Sequence, residues 1–166
     1  DVCSSDLERN QGCKLEVNSA IDWAFEYEDQ LIVLEDDVLP TPVFFEFMDL
    51  SLNQHKENKA VGAINGWVPF QNNEAKNEAF FSIYFQPWGW GTWKDRWEKN
   101  DRDLVTFNTE EFQNFESWSI YKQPSPIHKY WEESIYKCQN GYDTWDTQWQ
   151  YSIWLNNWIV LCPPEK

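Results

Sequence analysis

The sequence predicts a layered α/β fold, with a mostly parallel sheet flanked by helices. Short apolar runs alternate with segments whose apolar residues recur at helical spacing. The first run, Leu31-Ile32-Val33-Leu34, is continuous, as in a strand buried on both faces of a parallel sheet. The chain has 166 residues, which fits one domain with a substantial core.

The elements follow in order. Val17, Ile21, Ala24 and Phe25 share one face, so 15–28 reads as an amphipathic helix. The Leu31–Leu34 strand ends at Glu35-Asp36-Asp37. Thr41 is a suitable N-cap and Pro42 a suitable first helical residue. Phe44, Phe45, Met48 and Leu52 give that helix its apolar face. Residues 60–65 read as a second strand leading into Gly66-Trp67, and 71–77 as a polar loop. Residues 80–85 read as a third strand, and Pro87 to Trp93 as a glycine-punctuated aromatic turn. Helices are expected over 94–99, 109–117 and 127–139. Gly141-Tyr142-Asp143 interrupts. Trp145, Trp149 and Ile153 then recur every four residues as a last helix through Leu155, before a final strand over 158–162.

Both ends read as cut. Asp1 to Leu7 reads as a non-native leader that resembles translated adapter sequence, leaving 8–166 as a partial domain. The far end stops directly after a strand-like run.

Composition narrows the function. Twelve Trp, 11 Phe and 7 Tyr bring the aromatic content to 18%, far from a disordered composition. Most of these rings are expected in the core, and a minority can stack on the apolar face of a pyranose. The formal net charge of -15 argues against nucleic acid and against an anionic membrane surface. Cys3, Cys13, Cys138 and Cys162 form no CxxC pair and no zinc spacing. Reduced thiols in the cytoplasm, or in a protein peripheral at the inner membrane, are the expectation. No transmembrane segment and no signal peptide are visible.

Three acids at the end of an apolar strand repel one another, and burying any of them alone is costly. A divalent cation resolves this. Carboxylates suit Mg²⁺ or Mn²⁺, which take one or two protein carboxylates together with phosphate oxygens. The same acids also suit a plain solvated turn, and the spacing alone does not choose.

The segment LIVLEDDVLPTPVFFEFM resembles the metal-site segment of GT-A-fold nucleotide-sugar glycosyltransferases. It is similar to N-acetylglucosaminyltransferase I, where Glu-Asp-Asp is also followed by Pro and a Phe-Phe pair. It is closer to bacterial glycosyltransferases described as hemolytic-protein-like. Those share Asn10-Gln11-Gly12-Cys13, the Trp88-Gly89-Trp90-x-Thr92-Trp93 segment and the Trp145-Asp146-x-Gln148-Trp149 segment. The four segments occur in the same order across nearly the whole chain after Leu7.

The resemblance implies a GT-A-like fold, truncated at both ends, and a metal-dependent, inverting transfer from a nucleotide-diphosphate sugar to a glycan or other hydroxyl acceptor. It implies Asp37 as the direct metal ligand, with Glu35 and Asp36 toward the donor. Asp146 is the candidate base. Thr147 stands where N-acetylglucosaminyltransferase I has a second Asp, so Asp143 is the alternative. Either acid has a structural reading as well: an N-cap for Asp143, a first-turn acid favoured by the helix dipole for Asp146. Trp88, Gly89, Trp90 and Trp145 are expected to wall a sugar site. The family places its base-binding strand farther upstream than this chain extends, so weak donor binding by the chain alone is expected. Two other classes are open. A non-catalytic carbohydrate-binding module needs only the aromatics. A metal-dependent phosphohydrolase would call for more His and Asp ligands.

Overall fold

The computed structural model describes residues 10–69, 78–118 and 125–164. The expected leader 1–7 and the polar loop 71–77 lie outside these. The element order is α1 (Cys13–Ala24), β1 (Gln30–Val33), α2 (Pro42–His55), β2 (Val61–Asn65), β3 (Phe80–Ser82), β4 (Trp90–Trp93) and α3 (Lys94–Trp97). Then come α4 (Thr109–Gln113), a 3-10 turn (Glu116–Trp118), α5 (Pro126–Gln139), α6 (Asp146–Leu155) and β5 (Ile159–Cys162).

The five strands form one mixed sheet in the order β1-β4-β2-β5-β3. Only β2 and β5 pair in parallel, so the expected mostly parallel sheet is corrected to a mostly antiparallel one. The cause is β4. Its residues Trp90-Gly91-Thr92-Trp93 read in sequence as a turn because of the flanking glycines. In the fold they are a fully buried central strand, antiparallel to both β1 and β2. β1, expected to be buried on both faces of a parallel sheet, is instead a half-buried strand paired only with β4 among the described residues.

Since β1 and β2 both run against β4, they point the same way, and β5 joins them through its parallel pairing. The carboxyl ends of β1 and β2 therefore lie on one edge of the sheet. That edge carries Glu35-Asp36-Asp37, Gly66-Trp67 and the entry to β4.

Strand alternation divides the aromatics between two cores. Trp93 faces α2 and packs with Met48, Leu52 and Ile64, its indole N–H donating to Leu52 O at 3.2 Å. Trp90 faces the opposite way, into a core with Trp97, Trp145, Trp149 and Trp154. Helix α6 is buried around most of its circumference by this second core, which explains its weak amphipathic pattern. The third strand ends at Ser82 rather than at Phe85 because side chains replace the ladder beyond it. Gln150 accepts from Phe85 N at 2.7 Å and donates to Ile83 O at 3.1 Å. Asn65 does the same for Gln86 N and Tyr84 O.

Cys13, Cys138 and Cys162 are unpaired thiols. No helix among the described residues is long and apolar enough to cross a membrane.

Candidate functional site

Beyond β1, Val38 N–H donates to Glu35 O at 3.1 Å and closes a turn with Asp36 and Asp37 at its centre. Both aspartates are exposed and Glu35 is half-buried. Glu35 turns inward, where its Oε1 accepts from the Trp145 indole N–H at 3.1 Å. This bond joins residues 110 positions apart. It brings the end of β1 to the start of α6, where Asp146 is the first helical residue.

The electrostatics show the same gathering. Burial pushes the Glu35 carboxyl up, and repulsion from Asp37, Asp146 and Asp36 adds to this, against the opposing Trp145 hydrogen bond. Burial also raises the Cys13 thiol, helped by Asp143, Glu35 and Asp146. Asp36, Asp37 and Asp146 thus act on Glu35, and Asp143 joins Glu35 and Asp146 in acting on Cys13.

A carboxyl raised in this way is easier to accommodate protonated. Its share of stability is present below its ordinary range and is lost as pH rises through its folded value. Glu35→Gln keeps an oxygen for Trp145 and removes the charge. Its melting temperature at pH 7 should exceed wild type, and the gain should vanish below about pH 4, where carboxyls are protonated in both states. A thermal melt series across pH checks this.

Asp143 and Asp146 hold different positions. Asp143 accepts from Cys13 N at 2.8 Å and Lys14 N at 2.9 Å, one bond per oxygen. It caps α1 from across the chain. Gly12, the N-cap residue, has no side chain to do so. A Cβ at Gly12 would lie 2.4 Å from Asp143 Oδ2, and its φ of +86° excludes most residues in any case. The Asn10-Gln11-Gly12-Cys13 segment is thereby explained as the seat of this cap. Asp143→Ala should cost about 1–2 kcal/mol of stability, measured by denaturant titration.

Asp146 Oδ1 accepts from the Thr144 hydroxyl and, at 2.8 Å, from Thr147 N. Oδ2 makes no hydrogen bond among the described residues. It is the freer of the two carboxylates.

The expected aromatic wall divides. Trp90 is 0% and Trp145 2% exposed, and their rings stack on each other at 5.4 Å and 19°. They belong to the core and present no face to a sugar, which corrects the expectation for both. Gly89 sits at φ +72° beneath the site, its carbonyl accepting from Gly66 N at 2.8 Å. Trp88 is 47% exposed and packs edge to face with Trp67, 41% exposed, at 4.6 Å. These two rings, Phe44, Thr41 and Asp37 line a cleft of about 480 Å³. Trp67 carried no site role in the sequence reading, and Phe44 was expected only on the apolar face of its helix. The available signal was Gly66-Trp67 directly after a buried strand, mirroring Trp88-Gly89 directly before one.

Among the described residues no group of three or more His, Cys, Asp or Glu side chains is placed to hold a metal ion by itself. Asp37 and its neighbours offer hard oxygens, and their mutual repulsion has no cationic side chain among the causes acting on Glu35. No protein-family profile, curated protein or solved structure matches the chain.

Proposed function

We propose that the chain carries the metal and acceptor side of a glycosyltransferase that uses a nucleotide-diphosphate sugar. The observation that carries this reading is the Trp145–Glu35 hydrogen bond. It brings the start of α6, with Asp146, to the acidic turn, whose Asp37 lines a cleft with exposed aromatics. Such a region has the parts sugar transfer needs: oxygens for a cation, a carboxylate for a proton, and apolar faces for a pyranose.

In this reading Asp37 would hold Mg²⁺ or Mn²⁺, with Glu35 and Asp36 toward the donor. The cation's chemistry is to neutralise charge on the leaving diphosphate. Asp146 Oδ2 takes the proton of the acceptor hydroxyl. The acceptor oxygen bonds to the anomeric carbon as the bond to the diphosphate breaks, on the opposite face, with inversion. Thr144 and Thr147 hold Oδ1, so the carboxylate keeps its orientation as it changes charge.

The test is nucleoside diphosphate release from a panel of nucleotide sugars by the protein that carries this chain, with and without Mn²⁺. Turnover should need the metal, and Asp37→Asn should reduce it by at least about 100-fold, the loss of several kcal/mol of charge stabilisation. Metal-independent turnover that tolerates Asp37→Asn would refute the reading. The exposed Trp67–Trp88 pair favours a second reading, a module that binds carbohydrate without catalysis. It expects glycan binding and no response to uridine diphosphate with Mn²⁺.

A further inference from the structure

We infer that the cleft between Asp37 and the Trp67–Trp88 pair is a subsite for an uncharged saccharide, the acceptor rather than the nucleotide. The assignment as acceptor rests on the transferase reading; the binding itself does not.

The cleft volume of about 480 Å³ lies within the usual small-ligand range of about 300–1,000 Å³. Its chemistry is selective. Asp37 is the only charged side chain lining it among the described residues. Without a cation on Asp37, an anionic ligand, whether diphosphate or acidic sugar, meets no Lys, Arg or His lining the cleft among the described residues. A carboxylate accepts hydrogen bonds and donates none, so it suits ligand hydroxyls. Thr41 adds a second polar group at the same wall.

The two indoles stand at 63° to each other. A flat nucleobase stacks best in a slot with parallel walls. An angled pair instead offers a corner, which matches a pyranose with C–H surface on its face and its edge. The corner is built rather than incidental. A Cβ at Gly66 would lie 2.2 Å from the Phe44 ring and 2.6 Å from Gly89 O. The two glycines let β2 and the entry to β4 close onto Phe44, and each strand end projects one Trp beyond that contact.

The experiment is a glycan array probed with the protein that carries this chain, in buffer containing EDTA, followed by titration of the best neutral hit. Uncharged glycans should bind, sialylated and sulfated ones should not, and uridine diphosphate should not displace the hit. Trp67→Ala and Trp88→Ala should each weaken it about 10-fold, which is about 1.4 kcal/mol. Trp67→Phe and Trp88→Phe, which keep a ring and spare the fold, should weaken it less but measurably. Trp23→Ala, at an exposed Trp elsewhere, should change nothing. Absence of neutral glycan binding, displacement by uridine diphosphate, or binding indifferent to both Phe variants would each overturn the inference. If Trp67- and Trp88-dependent binding persists while no nucleotide sugar is turned over, the transferase reading fails and the subsite stands. Turnover with binding indifferent to the two rings gives the reverse.

Discussion

Asp146→Asn should lower the turnover of sugar transfer by about 10²–10⁴-fold, the usual contribution of a positioned general base, while the protein stays folded. The geometry makes these two effects separable. Both hydrogen bonds to Asp146 reach Oδ1, from the Thr144 hydroxyl and from Thr147 N. An Asn places its carbonyl oxygen there and keeps both. What it loses is Oδ2, the atom with no partner among the described residues and the one assigned to the acceptor proton. Substrate affinity should change little, since the interaction lost is made only as the proton moves. Asp146→Ala would be a poorer probe, because it also frees Thr144 and the first turn of α6. Steady-state kinetics of Asp146→Asn, with a thermal melt alongside, make the comparison. Activity within a few-fold of wild type would assign the base elsewhere.

The largest effect on stability should come from Arg96→Ala. Arg96 is 1% exposed, yet it carries a charge. Its guanidinium donates to Val61 O at 3.3 Å, Lys56 O at 2.9 Å, Asn58 O at 3.1 Å and His55 O at 3.5 Å. Those carbonyls close the end of α2 and the approach to β2. The cation also lies over the Trp93 ring at 4.4 Å and meets Asp95 at 2.6 Å. Burial would raise the Asp95 carboxyl, but hydrogen bonds from Lys59 and Arg96 hold it below its ordinary value. That part of the stabilisation is present above the ordinary carboxylate range and fades as pH falls through the depressed value. Asp95 is half-exposed and keeps Lys59, so the cost lies in the buried contact with Trp93 and in the charged-donor hydrogen bonds that four carbonyls lose together, about 3–5 kcal/mol in all. At about 2–4 °C per kcal/mol for a chain of this size, melting should fall by roughly 6–20 °C. Lys, with a single ammonium in place of the planar fork, should rescue only part. A melting temperature within about 2 °C of wild type would contradict this account of the α2–β2 junction.

The fold was legible wherever one element decides its own fate. The Thr41-Pro42 start of α2, the Val61–Asn65 strand and the Ile159–Cys162 strand needed only local signals. Trp90 to Trp93 was not legible, because glycine beside tryptophan suits a turn as well as a crowded central strand. Whether Gly91 lies in a turn depends on Leu31 and Leu52 passing close to it, and both are distant in sequence. Misplacing that one strand reversed the reading of the sheet. The direction of β1 and β2 was nevertheless preserved, so the edge carrying the acids is the one expected from strand-end reasoning.

The candidate site divides along the same line. Glu35, Asp36 and Asp37 stand out as acids after an apolar run, a pattern any reader of sequence can find. Their relation to Asp146 depends on an indole that looks like a sugar wall in sequence and is a buried tie in the structure. Asp143 looks like a local cap and instead caps α1, since Gly12 cannot. Gly66-Trp67 after a buried strand marks a strand end but does not by itself mark Trp67 as part of a site. Its partner Trp88 lies 21 positions on, and only the sheet brings them together.

The most direct test of one shared site is ¹⁵N NMR of the 12 tryptophan indoles during titration with Mn²⁺ and uridine diphosphate. A paramagnetic ion bound by Asp37 should broaden the Trp145 indole N–H, because that group donates to Glu35, along with those of Trp67 and Trp88, which line the cleft with Asp37. The Trp93 indole, bonded to Leu52 O in the opposite core, should keep its signal at the same ratio. Asp37→Asn should abolish the selective broadening. A Trp145 signal that persists, or broadening that Asp37→Asn leaves unchanged, would contradict the claim that the acidic turn and α6 form one metal-assisted site.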